Sequence, residues 1–120
     1  MVKTHGLTHL SLSVRDPEAS LAFYRAVFGV EEYFRDETSI QVKGPGPHDI
    51  LAFERRDAAG RKGGIDHFGF RLTTPDDIDV AVSEVERAGG LVISRGEFGP
   101  GLPFAYVADP DGYTIEIWFE

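Results

Sequence analysis

The sequence predicts an α+β protein with a largely antiparallel sheet, built from one βαβββ module written twice. Three observations predict it. Landmarks recur at a spacing of 58 residues: His9 with His67, Pro17 with Pro75, Pro45 with Pro103. A period this long in only two copies indicates a duplicated half-domain, not a solenoid. Each His also sits in a short run of alternating apolar residues, the period of a half-covered strand. Finally, each run is followed by a helix-start signal and then by three strand-like runs separated by Gly- and Pro-rich turns. The expected organisation is a single domain, 1–120, with modules 1–58 and 64–120.

In the first module, Leu10, Leu12 and Val14 share one strand face, and His9, Ser11 and Ser13 share the other. Asp16-Pro17 opens a helix, Asp16 as the cap and Pro17 at the first helical position. Leu21, Tyr24 and Phe28 follow at helical spacing, and Gly29 ends it. Residues 31–43 read as two strands with a turn near Glu37-Thr38-Ser39. Gly44-Pro45-Gly46-Pro47 separates these from a strand over 49–55. Residues 57–64, rich in Gly and charge, read as the linker.

The second module repeats the order. A strand is expected over 65–72, with Phe68, Phe70 and Leu72 buried on the helix side and His67 and Arg71 facing a cavity. Thr74-Pro75-Asp76-Asp77 starts a helix whose apolar stripe is Ile78, Ala81, Val82 and Val85, ended by Gly89-Gly90. Strands follow over 91–95, 104–108 and 113–119, the last two joined by the turn Asp109-Pro110-Asp111-Gly112.

Composition narrows the function. The net charge of −8 argues against nucleic acid, because a phosphate backbone rewards clustered Lys and Arg. With no cysteine there is no thiolate metal site and no Cys nucleophile. No apolar run approaches the roughly 20 residues that span a bilayer, and residues 1–14 lack the apolar core of a signal peptide. A cytoplasmic location is the default expectation, with no membrane partner.

The chemistry lies on the polar strand faces. On the last strand Ile115, Ile117 and Phe119 alternate with Thr114, Glu116 and Trp118, so Glu116 faces away from the apolar side, as both His residues do. Three strands can thus each present one ligand, and His9, His67 and Glu116 form the two-imidazole, one-carboxylate set that suits a divalent first-row metal. Open positions on such a metal let a substrate chelate it. If the Asp109–Gly112 turn is a four-residue insertion, Glu54 falls at the place of Glu116 in the first module. A two-residue difference in loop length would put Ala52 there instead.

The run His9-Leu10-Ser11-Leu12-Ser13-Val14-Arg15-Asp16-Pro17, followed by Phe23-Tyr24-Arg25-Ala26-Val27-Phe28-Gly29, resembles the opening of the vicinal oxygen chelate superfamily. Asp66-His67-Phe68-Gly69-Phe70 and the run from Tyr106 through Asp109-Pro110-Asp111-Gly112 to Glu116 resemble its second half. The superfamily includes glyoxalases, extradiol dioxygenases, fosfomycin-modifying enzymes and bleomycin-resistance proteins. The resemblance spans essentially the whole chain. It implies paired βαβββ modules forming an open, U-shaped, mostly antiparallel eight-stranded sheet with the helices outside. It also implies His9, His67 and Glu116 as ligands of a divalent metal (Fe, Mn, Ni, Co or Zn), Glu54 as a possible fourth, and a homodimer as a common assembly.

The reaction stays open at this level. An extradiol dioxygenase fits the triad, and Tyr106 stands where that signature places a Tyr. The His expected before that Tyr is missing, and His48 could substitute as the acid–base partner. Glyoxalase-type isomerisation needs a carboxylate base, which Glu54 or Glu116 could supply. Fosfomycin-type ring opening needs a cationic clamp; Arg55, Arg56, Arg61, Lys62, Arg71 and Arg95 are available, and the first four sit in or near the linker and read as solvated. The alternative is a non-catalytic module, like the bleomycin-resistance proteins, that sequesters a small aromatic molecule against Phe34, Phe98, Phe104, Tyr106 and Trp118.

Overall fold

In the computed structural model, which describes residues 1, 3 and 5–120, the chain divides into two compact units, Met1–Ala59 and Gly60–Glu120. The boundary falls inside the expected linker.

The N-terminal unit runs β1 (His9–Val14), α1 (Pro17–Phe28), β2 (Glu31–Arg35), β3 (Ser39–Lys43) and β4 (Ile50–Arg55). Its sheet has the order β1-β4-β3-β2, with β1 parallel to β4 and the other pairs antiparallel. The Asp16 side chain accepts from the Glu18 N–H at 3.0 Å, and Gly29 takes the left-handed conformation (φ 65°) that ends α1. Leu12, Val14, Leu51 and Phe53 form the buried sheet face, and Tyr24 of α1 packs on Phe53 with ring centroids 4.9 Å apart. Pairing places His9, Ser11, Ser13, Gln41, Ala52 and Glu54 on the opposite face.

The C-terminal unit repeats this as β5 (Phe68–Arg71), a 3₁₀ turn (Pro75–Asp77), α2 (Ile78–Arg87), β6 (Leu91–Glu97), β7 (Pro103–Ala108) and β8 (Thr114–Trp118). Its sheet order is β5-β8-β7-β6, again with one parallel pair, β5 with β8. Both units carry a register shift at the same place, between Glu32 and Phe34 and between Val92 and Ser94. Ile78, Val82 and Val85 of α2 are buried, as are Ala105, Val107, Ile115 and Ile117 of the sheet. Asp109 is buried and accepts from the Asp111 and Tyr113 N–H groups at 2.9 Å each, which closes the turn into β8. Among the described residues, no helix is long and apolar enough to cross a membrane.

The α+β class, the eight strands and the duplicated order are therefore as expected, the strands forming two four-stranded sheets. Three details differ. The first strand of the second unit begins at Phe68, not Ile65, because Gly63 and Gly64 adopt positive φ and the Ile65 N–H closes a turn onto Lys62 O at 2.9 Å. Phe68, Phe70 and Leu72 are half-buried, whereas Leu12 and Val14 at the equivalent places of β1 are buried. Pro45 and Pro103 are not equivalent: Pro45 lies between β3 and β4, whereas Pro103 opens β7.

Candidate functional site

In the C-terminal unit, Gly69 pairs with Glu116 and Glu116 with Tyr106, which aligns β5, β8 and β7 around one polar face. His67, two residues before Gly69, joins that face. Its Nε2 lies 3.2 Å from Glu116 Oε2 and its Nδ1 lies 2.5 Å from Asp66 Oδ2. The Tyr106 ring meets the imidazole edge-on, with centroids 5.2 Å apart at 76°. Partial burial pushes the Tyr106 hydroxyl above its ordinary value, and its hydrogen bond to Glu116 and the charges of Glu116 and Asp66 push in the same direction. The hydroxyl therefore keeps its proton at neutral pH and donates a hydrogen bond to the Glu116 carboxylate.

Aromatic side chains continue the face. Phe104 contacts Tyr106 at 5.6 Å, and Phe98 stacks on Phe104 at 4.6 Å. Trp118 lies over Gly69, where a Cβ would come within 3.3 Å of the indole nitrogen, and the Arg71 guanidinium caps the Trp118 ring at 5.4 Å. Arg71 is thus held against an aromatic ring on this same face.

The donor chemistry of His67 and Glu116 fits a divalent first-row metal. An imidazole nitrogen and a carboxylate oxygen each about 2.1 Å from one ion stand roughly 3.0–3.4 Å apart in octahedral or tetrahedral geometry. The observed 3.2 Å lies in that interval. Among the described residues of either unit, no third His, Asp or Glu completes a three-ligand group.

The N-terminal unit is built differently on the corresponding face. His9 is exposed on β1 and pairs with Ile50. Two residues on, Ser11 pairs with Ala52, so Ala52 occupies the register position that Glu116 holds in the second unit. Glu54 lies two residues further along β4, opposite Ser13, and corresponds to Trp118. Its carboxylate accepts from the Ser11 hydroxyl and, at 3.5 Å, from Arg56 Nη2. The offset between β4 and β8 is thus six residues longer than that between β1 and β5, not four. The extra length lies chiefly in the longer β6–β7 hairpin and not in the Asp109–Gly112 turn. His48 sits in the loop before β4, stacked on His5 at 4.2 Å, beside a cleft of ≈ 270 Å³.

The structure thus brings together His67, Glu116 and Tyr106. His9, Glu54 and His48 lie in the other unit, and there His9 and Glu54 are separated by four residues along paired strands, about 13 Å. Sequence reasoning missed the contact of Asp66 with His67. The available signal was an acid immediately before a candidate ligand.

Residues 6–117 match the family model described as Glyoxalase/Bleomycin resistance protein/Dioxygenase superfamily. Among curated relatives, the chain is 27% identical over 115 residues to a metapyrocatechase of Geobacillus stearothermophilus, covering 95% of this chain and 34% of that protein. It is 27% identical over 117 residues to a manganese-dependent 2,3-dihydroxybiphenyl 1,2-dioxygenase of Geobacillus genomosp. 3, covering 93% and 36%. The chain spans about a third of the length of these two relatives. Among solved structures, the fosfomycin resistance protein FosX of Listeria monocytogenes superposes with a TM-score of 0.84 at 18% identity, covering 98% of this chain and 95% of that one. That likeness is one of fold. Because the family match extends from the strand carrying His9 through the strand carrying Glu116, the chain belongs to the glyoxalase/bleomycin resistance protein/dioxygenase superfamily.

Proposed function

We propose that the chain is a metal-dependent enzyme domain acting on a small organic molecule with vicinal oxygens. His67 and Glu116 would hold the divalent metal. The observation that carries this reading is the 3.2 Å approach of His67 Nε2 to Glu116 Oε2, a spacing suited to sharing one ion. When bound, such an ion acts as a Lewis acid toward chelated substrate oxygens. The chain's own residues do the rest. Tyr106 orients Glu116 through its hydroxyl and presents a protonated phenol beside the site. Dioxygenase chemistry is supported by two relatives named as dioxygenases, one of them as manganese-dependent. Isomerase and lyase chemistry use the same kind of metal site.

A second reading, sequestration of an aromatic molecule, is favoured by Phe98, which is 57% exposed while stacked in a row with Phe104 and Tyr106. Metal analysis separates the two readings. Protein purified without chelators should carry metal or take it up on add-back. Occupancy below about a tenth of an equivalent, with no uptake, would refute the enzyme reading.

A further inference from the structure

We infer that Asp66 is a positioning residue for His67: its carboxylate holds the imidazole proton on Nδ1 and leaves the Nε2 lone pair aimed at the metal position. The inference rests on the proposed His67–Glu116 metal site and adds to it a residue with no place in the ligand set.

A neutral imidazole carries one ring proton, and a metal binds the nitrogen that lacks it. Here two carboxylates compete for that proton. Asp66 Oδ2 is 2.5 Å from Nδ1, the closer approach, whereas Glu116 Oε2 is 3.2 Å from Nε2. The proton therefore favours the Asp66 side. An Nε2 lone pair then faces a carboxylate oxygen with no hydrogen between them, and a cation relieves that opposition of two acceptors. Carboxylate–imidazole–metal relays use this arrangement to fix tautomer and ring orientation together.

The local chain explains how Asp66 reaches its neighbour. The turn at Gly63 and Gly64 delivers Asp66 just ahead of β5, and its side chain is 93% exposed and free to fold onto the ring. Tyr106, edge-on to the imidazole, limits the ring from the other direction. The N-terminal unit has no equivalent device, because Thr8 precedes His9. Solvent screens an exposed carboxylate, which places the expected effect at the low end of the 10–100-fold typical of such partners.

The test uses long-range ¹H–¹⁵N NMR of the metal-free full chain, recorded under conditions where the His67 ring carries a single proton. Wild-type His67 should show the Nδ1–H tautomer. Asp66→Ala should shift it toward Nε2–H and weaken Mn²⁺ and Zn²⁺ binding about tenfold. Asp66→Asn should retain Nδ1–H, because the amide oxygen still accepts, and should recover most of the affinity. Equal thermal unfolding of the three proteins excludes a general loss of structure. A wild-type His67 already in the Nε2–H form, or a tautomer unmoved by Asp66→Ala, overturns the role of Asp66 even where metal binds. A wild type that binds neither metal overturns the underlying site, and that titration is read independently of the tautomer.

Discussion

The two units share a scaffold and differ in what they mount on it. Both run βαβββ, both pair the first strand with the last in parallel, and both shift register at the same place. On the buried face the correspondence is conservative: Leu51 with Ile115, and Phe53 with Ile117. On the polar face it is not. Ala52 stands where the second unit has Glu116, Gln41 where it has Tyr106, and Glu54 where it has Trp118. The apolar layer tolerates only residues that fill it, whereas a strand's other face can change chemistry without disturbing the ladder. The second unit has the carboxylate beside its imidazole, and the first has an imidazole with no carboxylate at that register position.

The shared core carries the largest expected effect. Phe53 is fully buried and is the ring on which Tyr24 packs. Phe53→Ala should cost about 3–5 kcal/mol, more than the ~2–5 kcal/mol range centre expected for its counterpart in Ile117→Ala. Chemical denaturation measures both. A cost under about 1 kcal/mol for Phe53→Ala would show that the N-terminal core is not organised around it.

The polar faces come next. Glu116→Ala should weaken divalent-metal binding by roughly 100-fold or more, because it removes one of two converging donors. Isothermal titration with Mn²⁺ checks this, with circular dichroism to establish folding. Unchanged affinity would break the claimed asymmetry at its root.

The same comparison explains what the sequence could and could not show. Strand alternation and the helix caps at Asp16 and Thr74 were legible because they are local: the determining residues lie within one turn of each other. His67 and Glu116 were legible as face-mates because alternation fixes which side of a strand a residue takes. Sequence left Glu54 and Ala52 both open at the place of Glu116, because register depends on every loop before it, and the pairing puts Ala52 there. The longer β6–β7 hairpin gives no periodic signal of its length. Pro45 and Pro103 matched in spacing by coincidence, since one sits in the β3–β4 connection and the other opens β7. The half-burial of Phe68 and Phe70 was not legible either, because their strand alternates as cleanly as β1, where Leu12 and Val14 are buried.

That register makes a smaller, sharper prediction for Glu54. Its carboxylate is engaged by Ser11 and Arg56 and lies four residues along the strands from the position opposite His9. Glu54→Gln should therefore leave Mn²⁺ affinity within about twofold of wild type, as isothermal titration alongside Glu116→Ala would measure. A loss of affinity as large as that of Glu116→Ala would make Glu54 a ligand and restore the symmetry of the two units.

The smallest effect concerns the hairpins that set those registers. The β2–β3 turn is organised by Asp36, whose carboxylate accepts from the Thr38 and Ser39 N–H groups at 2.9 and 2.8 Å and from the Ser39 hydroxyl at 3.0 Å. The β6–β7 turn instead closes through backbone bonds between Phe98 and Leu102 and between Leu102 and Gly99. Hydrogen bonds to the ionised form, from the Thr38 N–H first and then from Ser39, hold the Asp36 carboxyl below its usual value. A folded-state value that is depressed means the stabilisation is present above the unfolded value of about 3.9 and is lost as pH falls through the folded one. Carboxyl titration followed by NMR should show Asp36 among the last acids to protonate. Asp36→Asn should weaken the pH dependence of stability in acid, leaving the β6–β7 hairpin unaffected. An Asp36 that titrates at the ordinary carboxylate value would show that the turn does not depend on its charge, and the two hairpins would then differ in length alone.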